Sequence, residues 1–457
     1  MEPRRITVHH QGRVRTGKPV LYWLQHTQRI DQNYALNEAI RLANEHNTTL
    51  RVIFCLLPGY PEANARHYHF MLEGIRELFE RLDEMGAEVV LKEGSFADKV
   101  IPELENGALL VMDCGYTRFL RRARHEITEA ARRLDIGVRE VESDVVVPVH
   151  AVSEKLEYGA RTIRPKLQRL KPAFMKLEES PALQNRSKKT GGNSKNVFPE
   201  PSELIERLNI DRRVGRTAYF AGGEKAALAR FNHFLTERLP LYHRSNDPGL
   251  AAASKLSPYL HFGQISPVRM LHRLTEKRME SPALIPAIDA YEEQLLVRRE
   301  LSFNFVSYEP GYDSFQSMTY PWAYKTMDQH RGDWREYLYK LEDYEALATH
   351  DPYFNAAMRE MVVTGYMHNY MRMYWGKKII EWSRDYEEAY NTTVYLNNKY
   401  FLDGRDPNSY TGVAWCYGRH DRAWGERPVF GKLRYMNAAG LRRKFAIEDY
   451  VRYCEGL

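Results

Sequence analysis

Two rhythms of apolar positions alternate along the first third of the chain. Residues 19–24 and 50–57 are short apolar runs of strand length, the second closed by Pro58-Gly59. Residues 34–44 place Leu36, Ile40 and Ala43 on one helical side, and residues 70–85 repeat Leu72, Ile75, Phe79 and Leu82 at steps of three and four. Further strands are predicted over 88–91, 108–112 and 137–147, with a basic helix over 120–134. This βαβα order predicts a Rossmann-like, doubly wound parallel sheet over residues 1–150. No Gly-x-Gly-x-x-Gly opens it, which disfavours dinucleotide binding there. Residues 149–224 read as a long connector (151–223 between the domains). Its stretch 186–196, Arg-Ser-Lys-Lys-Thr-Gly-Gly-Asn-Ser-Lys-Asn, is predicted to be a surface loop. From 224 to 457 helical spacing dominates, predicting helices over 224–239, 266–277, 285–305, 334–341, 355–365 and 367–381. The fold class is thus an α/β N-terminal sheet domain followed by an all-α C-terminal domain.

Totals narrow the picture little. The 457 residues exceed one simple core, and no apolar run reaches the ~18 residues of a membrane helix. Residues 1–10 have no apolar segment of a secretory signal, and four scattered cysteines include no Cys-x-x-Cys, so a cytoplasmic protein without a metal cluster or disulfide framework is expected. A net charge of +6 and a pI of about 8.9 permit a polyanionic partner and equally suit a mildly basic enzyme.

Candidate chemistry concentrates in residues 364–437. Trp375 and Trp382 are seven residues apart, on one helix face two turns apart, with Arg372 one turn earlier. A turn-rich segment then carries Asp403 and Asp406, followed by Trp415 and Trp424. Indoles mixed with charges suit a partly polar aromatic cavity, although aromatic residues also build ordinary cores. Arg372 and Asp403 suit a buried pair beside a ligand, or a structural salt bridge. Upstream, residues 254–263 (Ser-Lys-Leu-Ser-Pro-Tyr-Leu-His-Phe-Gly) combine hydroxyls, Lys255 and free N–H groups that can hold phosphates or simply cap a helix. Gln294 and Arg298 share a helix face, suiting a polar ligand or a solvated charged surface.

Taken together these segments resemble the photolyase/cryptochrome flavoproteins, specifically class II cyclobutane pyrimidine dimer photolyases. The resemblance runs through Gln28-Arg29-Ile-Asp-Gln-Asn33, residues 158–165, 256–265, 297–301 (Val-Arg-Arg-Glu-Leu), Thr349-His-Asp351, Met371-Arg-Met-Tyr-Trp375, 402–408 and 424–432. It implies a helical domain holding FAD, active as FADH⁻, and blue-light electron transfer to a dimer flipped out of UV-damaged DNA. By the same resemblance Tyr242, Ser254, Lys255, Leu256 and Ser257 hold the FAD phosphates, helped by Arg299. Asn369, Arg372 and Asp403 belong around the isoalloxazine, Asn397 faces its N5, and Asp406 and Asn408 complete the cofactor loop. Gln294, Arg298, Met373 and Trp415 line the lesion pocket, where an indole offers a flat face to a base. Trp375 is implied as the electron donor nearest the flavin and Trp382 as the surface-side one. The family suggests a monomer. An antenna group, 8-hydroxy-5-deazaflavin or folate, has no decisive motif here.

Two departures from the family pattern stand out. Phe354 occupies the position of the middle electron-carrying Trp, so photoreduction by the usual route is expected to be weak. Tyr339, Tyr370 and Tyr374 are the candidate substitutes. Gln294 replaces the family's active-site Glu and can hydrogen-bond but not donate a proton as an acid would. Three readings follow: a dimer photolyase, a photolyase of altered lesion preference, or a cryptochrome-like photoreceptor. Signalling relatives often carry a long C-terminal tail, and the chain's end at Leu457 weighs against the last.

Overall fold

A computed structural model describes residues 1–187 and 198–457. Most of the predicted basic loop therefore lies outside the described residues. The N-terminal sheet has six strands: β1 Ile6–His10, β2 Val20–Leu24, β3 Leu50–Leu56, β4 Glu88–Glu93, β5 Leu110–Asp113 and β6 Val138–Val141. Their spatial order is β1-β6-β5-β2-β3-β4, parallel throughout except for β1, which pairs antiparallel with β6. β2 is apolar at every position because helices cover both faces of a central parallel strand, and all five of its residues are buried. Asn33 starts the helix Tyr34–Glu45 by accepting the Leu36 N–H at 2.9 Å. At the switch point, where the strand order reverses, Asp113 at the end of β5 accepts the N–H groups of Gln25 (2.9 Å), His26 (2.9 Å) and Thr27 (3.0 Å) after β2.

Several expectations need correction. β6 ends at Val141, not at 147, because the carbonyls of Glu142, Val145 and Val146 turn instead to the buried Arg5 guanidinium. Edge strand β1 and the Ser95-capped helix Phe96–Leu104 were not foreseen. Within 149–224 the helix Ala160–Phe174 buries Ile163, Leu167 and Phe174, and Pro201–Arg207 buries Leu204 and Ile205. The expected helix over 334–341 is absent. Trp334 is 79% exposed, and the segment lies along the end of the Asn369–Trp382 helix, with Tyr339 N–H bonded to Trp382 O at 3.0 Å. Its apolar spacing mimicked an amphipathic helix without a surface to bury against.

In the C-terminal region the expected 285–305 helix is a rod of Ile285–Glu292, a π-helical segment Glu293–Arg298 and Arg299–Tyr308. The 224–239 helix likewise passes from Glu224–His233 into a π segment, Phe234–Arg238. Pro352–Thr364 is N-capped by Asp351, and Asn369–Trp382 follows it. Two further helices, Tyr386–Tyr400 and Pro407–Cys416, complete the framework of the site. Among the described residues no helix is long and apolar enough to cross a membrane.

Candidate active site

A cavity of about 520 Å³ opens among these helices. This is a volume suited to a cofactor-sized ligand. Every residue assigned to cofactor binding lines it: Tyr242 and Ser254 to Ser257 on one side, Arg299 and Asn369 beside them, and Arg372, Asn397, Asp403, Asp406 and Asn408 opposite. Gln294, Met373 and Trp375 line it too.

The local structure explains how these side chains are aimed. Lys255 adopts φ +54, a left-handed conformation that non-glycine residues rarely hold, and this turns the chain into the short helix Ser257–His261. Burial lowers the Lys255 ammonium below its ordinary value, against the opposing pull of Glu360. Its Nζ donates to Tyr453 Oη at 3.1 Å, and Tyr291 Oη donates to Ser254 Oγ at 3.2 Å. Arg299 is buried with its guanidinium 4.6 Å from the Phe303 ring centroid, and its Nη1 has no hydrogen-bond partner. A buried guanidinium N–H facing a cavity is costly unless an anionic or polar acceptor completes it.

On the opposite wall, Arg372 donates from Nη2 to Asp403 Oδ2 at 3.0 Å and from Nε to Met367 O at 3.0 Å, with the Phe401 ring 3.9 Å from its guanidinium carbon. The pair is therefore bonded and stacked, as a half-buried charge pair requires. Asn397 donates from Nδ2 to Asn398 Oδ1 at 2.9 Å. Asn398 is itself fixed by the Arg405 N–H and by Glu62, so the Asn397 carbonyl oxygen is the end left for the cavity. Asp406 N-caps Pro407–Cys416 through Asn408 N–H at 2.8 Å and reaches His261 Nδ1 at 3.2 Å. Burial would raise its carboxyl, yet the His261 hydrogen bond and charge hold it at about 2.

Two assigned lesion-pocket residues lie outside the cavity lining. Arg298 is drawn to the rim, where its Nε donates to Glu293 at 3.0 Å. Glu293 also holds Arg164 at 2.7 Å, which anchors that ion pair on the exposed side of the π segment. Trp415 is half-buried, with the Lys377 ammonium 5.6 Å and the Arg434 guanidinium 5.0 Å from its ring centroid. Arg434 also lies 4.3 Å from the Trp424 ring and pairs with Asp421 at 2.9 Å. The residues 415–434 thus set two indoles and a row of cations beside one another, an arrangement that the spacing of Trp415 and Trp424 alone did not reveal.

The aromatic route behind the cavity also differs from expectation. Trp375 is buried and donates Nε1–H to Met358 Sδ at 2.9 Å. Trp382, implied as the surface-side donor of the two, is itself buried. One helix serves both indoles: Met358 meets Trp375, while Phe354, one turn earlier, has its ring 5.2 Å from Trp382. The outer shell of Trp382 consists of Tyr339 (5.5 Å) and His350 (5.0 Å), with Tyr337, 37% exposed, stacked on His350 at 3.7 Å. Tyr339 Oη and His350 Nδ1 share a hydrogen bond of 2.8 Å. Tyr374 is turned away, its hydroxyl donating to the helix-capping carboxylate of Asp351. Burial and that carboxylate push its phenol well up. Tyr370 instead accepts a hydrogen bond from Lys444 at 3.1 Å.

A second cavity, about 100 Å³, sits at the sheet's switch point beside Gln25, His26, Tyr116 and His67. It is smaller than the sites that enclose extended ring systems.

Comparison with known proteins agrees with this geometry. Residues 20–185 match the DNA photolyase family. A deoxyribodipyrimidine photo-lyase of Methanothermobacter thermautotrophicus is 43% identical over 442 residues, covering 96% of this chain and 95% of the relative. One of Arabidopsis thaliana is 41% identical over 472 residues, covering 100% and 94%. Among solved structures, a bacterial class III photolyase from Agrobacterium tumefaciens superposes with a TM-score of 0.73 at 19% identity, covering 96% of this chain and 86% of that one. A cryptochrome from Synechocystis sp. PCC6803 superposes with a TM-score of 0.74 at 16% identity, covering 96% and 89%. The structures speak for the fold, and the two sequence relatives, aligned along nearly the whole chain, establish that it belongs to the DNA photolyase family.

Proposed function

We propose that the protein is a deoxyribodipyrimidine photo-lyase that repairs cyclobutane pyrimidine dimers in DNA by light-driven electron transfer. The family is generally FAD-binding. The observation that carries the reading is the convergence of all twelve assigned cofactor residues on one cavity that also contains the unpartnered Nη1 of Arg299. The donor set fits FAD: hydroxyls, Lys255 and Arg299 for the phosphates, and the Arg372–Asp403 pair with the Asn397 carbonyl for a ring system that changes charge. Reduced FAD, when bound, supplies one electron on excitation and takes it back after bond cleavage.

The chain's own residues do the rest. Arg372 keeps a positive charge beside the ring, and Asp403 fixes its direction. The Asn397 carbonyl accepts an N–H, favouring the protonated, reduced ring. Gln294 offers amide hydrogen bonds to a flipped lesion without acting as an acid. Trp415 gives an extruded base a face to stack on, Arg434 lies beside its ring, and Arg422 over Trp424 and Arg427 over Tyr435 add positive charge nearby for the DNA backbone. Extruding a damaged, poorly stacked dinucleotide is cheaper than flipping sound bases, which supports selectivity. The small switch-point cavity carries no antenna assignment.

Gln294 is the observation that favours a second reading, a photoreceptor or a photolyase of another lesion. One experiment separates the two. The bound flavin is reduced chemically, and blue-light loss of dimers from a thymine-dimer oligonucleotide is measured against a dark control. Light-dependent loss is expected. Its absence with a fully reduced flavin would defeat the dimer-photolyase reading and leave the photoreceptor or a photolyase of another lesion.

A further inference from the structure

Lys377 lies in the Asn369–Trp382 helix, four residues after Met373 and therefore on the same face. Its side chain is 0% exposed, and among the described residues no carboxylate pairs with it. Its Nζ donates to the carbonyl of Cys416, the last residue of Pro407–Cys416, and sits 5.6 Å from the Trp415 ring centroid. Gly376 makes this possible: a Cβ there would meet Cys416 Sγ at 2.8 Å, so only a glycine lets the two helices approach closely enough to seal the ammonium beneath the indole.

Capping a helix C-terminus is a sufficient role for a lysine at a surface, where water solvates the remaining ammonium protons. It does not account for a completely buried, unpaired cation, which costs stability that a neutral group would not. The cost is intelligible if the charge acts on something that arrives in the pocket.

Resting on the photo-lyase reading above, we propose that Lys377 is a positioning residue of the lesion site. Its ammonium holds the Trp415 indole against the end of Pro407–Cys416 and sets a positive charge behind the face on which the pyrimidine dimer stacks. The electron that reaches the dimer makes it transiently anionic. The two cyclobutane carbon–carbon bonds then break, and the electron returns to its donor, so no external oxidant or reductant enters. A cation behind the indole stabilises the lesion during that interval and opposes oxidation of Trp415 itself.

The groups acting on Lys377 are few. Burial lowers its ammonium to about 8, with Arg434 adding to this, while Cys416 and Asp421 oppose it. The helices Pro352–Thr364 and Tyr386–Tyr400, which also pack on Asn369–Trp382, add no charge to it. Deprotonation above that value removes the charge, so repair should fall as pH rises through it.

The test uses the full-length, chemically reduced holoenzyme. Wild type should lose repair yield severalfold across a transition near pH 8, whereas Lys377→Met should show a low yield with no such transition. In flavin-free protein, Lys377→Met should also weaken the preference for dimer-containing over intact oligonucleotide, because the indole is no longer held. A plain helix cap would leave that preference unchanged. If Lys377→Met does not fold, Lys377→Arg decides: guanidinium does not titrate in this range, so the transition should vanish while repair persists. Wild-type yield and profile in Lys377→Met, or a persisting transition in Lys377→Arg, would overturn the proposal. Wild type without light-driven repair at any pH would instead defeat the photo-lyase reading, and this inference with it.

Discussion

At the scale of single residues, the proposed electron route turns on Phe354. Its phenyl ring is wholly buried against Trp382 and is far harder to oxidise than an indole, so it offers Trp382 a poor relay. Phe354→Trp should accelerate photoreduction of oxidised bound flavin severalfold under steady blue light with an external reductant. An unchanged rate would show that electrons already bypass this position, with Tyr339 and its His350 partner the group best placed beside Trp382. Residue chemistry was the most legible layer of the sequence. Arg372, Asp403 and the 254–257 segment stood out by residue type and Asn397 only through the resemblance, and all of them line one cavity. Lys377 was overlooked, although its place four residues after Met373, on the same face of the helix, was a signal. Arg298 shows the opposite limit: its spacing suited a solvated charged surface, its pairing with Glu293 at the rim agrees with that, and only the resemblance placed it in the lesion pocket.

At the scale of elements, the site is a matter of helix packing. Asn369–Trp382 contributes one wall and Pro407–Cys416 another, and Gly376 sets their separation. Gly376→Ala would force its Cβ against Cys416 Sγ. Overpacking of this kind should lower unfolding stability by about 1–3 kcal/mol in urea denaturation. It should also loosen flavin retention, because Gly376 and Cys416 both line the cavity. Long amphipathic segments such as 70–85 were readable because periodicity reports burial directly. The structure extends that helix to Ala65–Met85. The π segment at Glu293–Arg298 was not readable, because one extra residue per turn leaves the apolar spacing almost intact. The false helix at 334–341 failed for the complementary reason: periodic apolar residues form a helix only where there is a surface to receive them.

At the scale of the whole molecule, buried side chains tie the sheet layer to the helical region. Arg66, in Ala65–Met85, donates to the carbonyls of Met361 and Val362 near the end of Pro352–Thr364 and of Tyr400 at the end of Tyr386–Tyr400, helping to satisfy the C-terminal carbonyls of both helices. Glu300 accepts the N–H groups of Val146 and Val147 across the same boundary, and burial pushes its carboxyl up to about 7. The unfolded chain ionises this group near 4.5, so between the two values only the folded state holds the proton. Stability should therefore fall as pH rises through this window, by about 3 kcal/mol at most. Glu300→Gln should remove that part of the pH dependence, measured as unfolding free energy at mildly acidic and mildly alkaline pH. An identical pH slope in the variant would show that Glu300 ionises freely in the folded protein. The sequence by itself determined the alternation of strands and helices in the N-terminal region and the helical character of the rest, because periodicity is a local property, and its motifs carried the resemblance that named the residues of the site. The tertiary structure alone decided which charges became partners, which indoles were buried and how close two helices came. Those outcomes depend on distances between different elements, many of them tens of residues apart in the chain, which packing sets and no local pattern encodes.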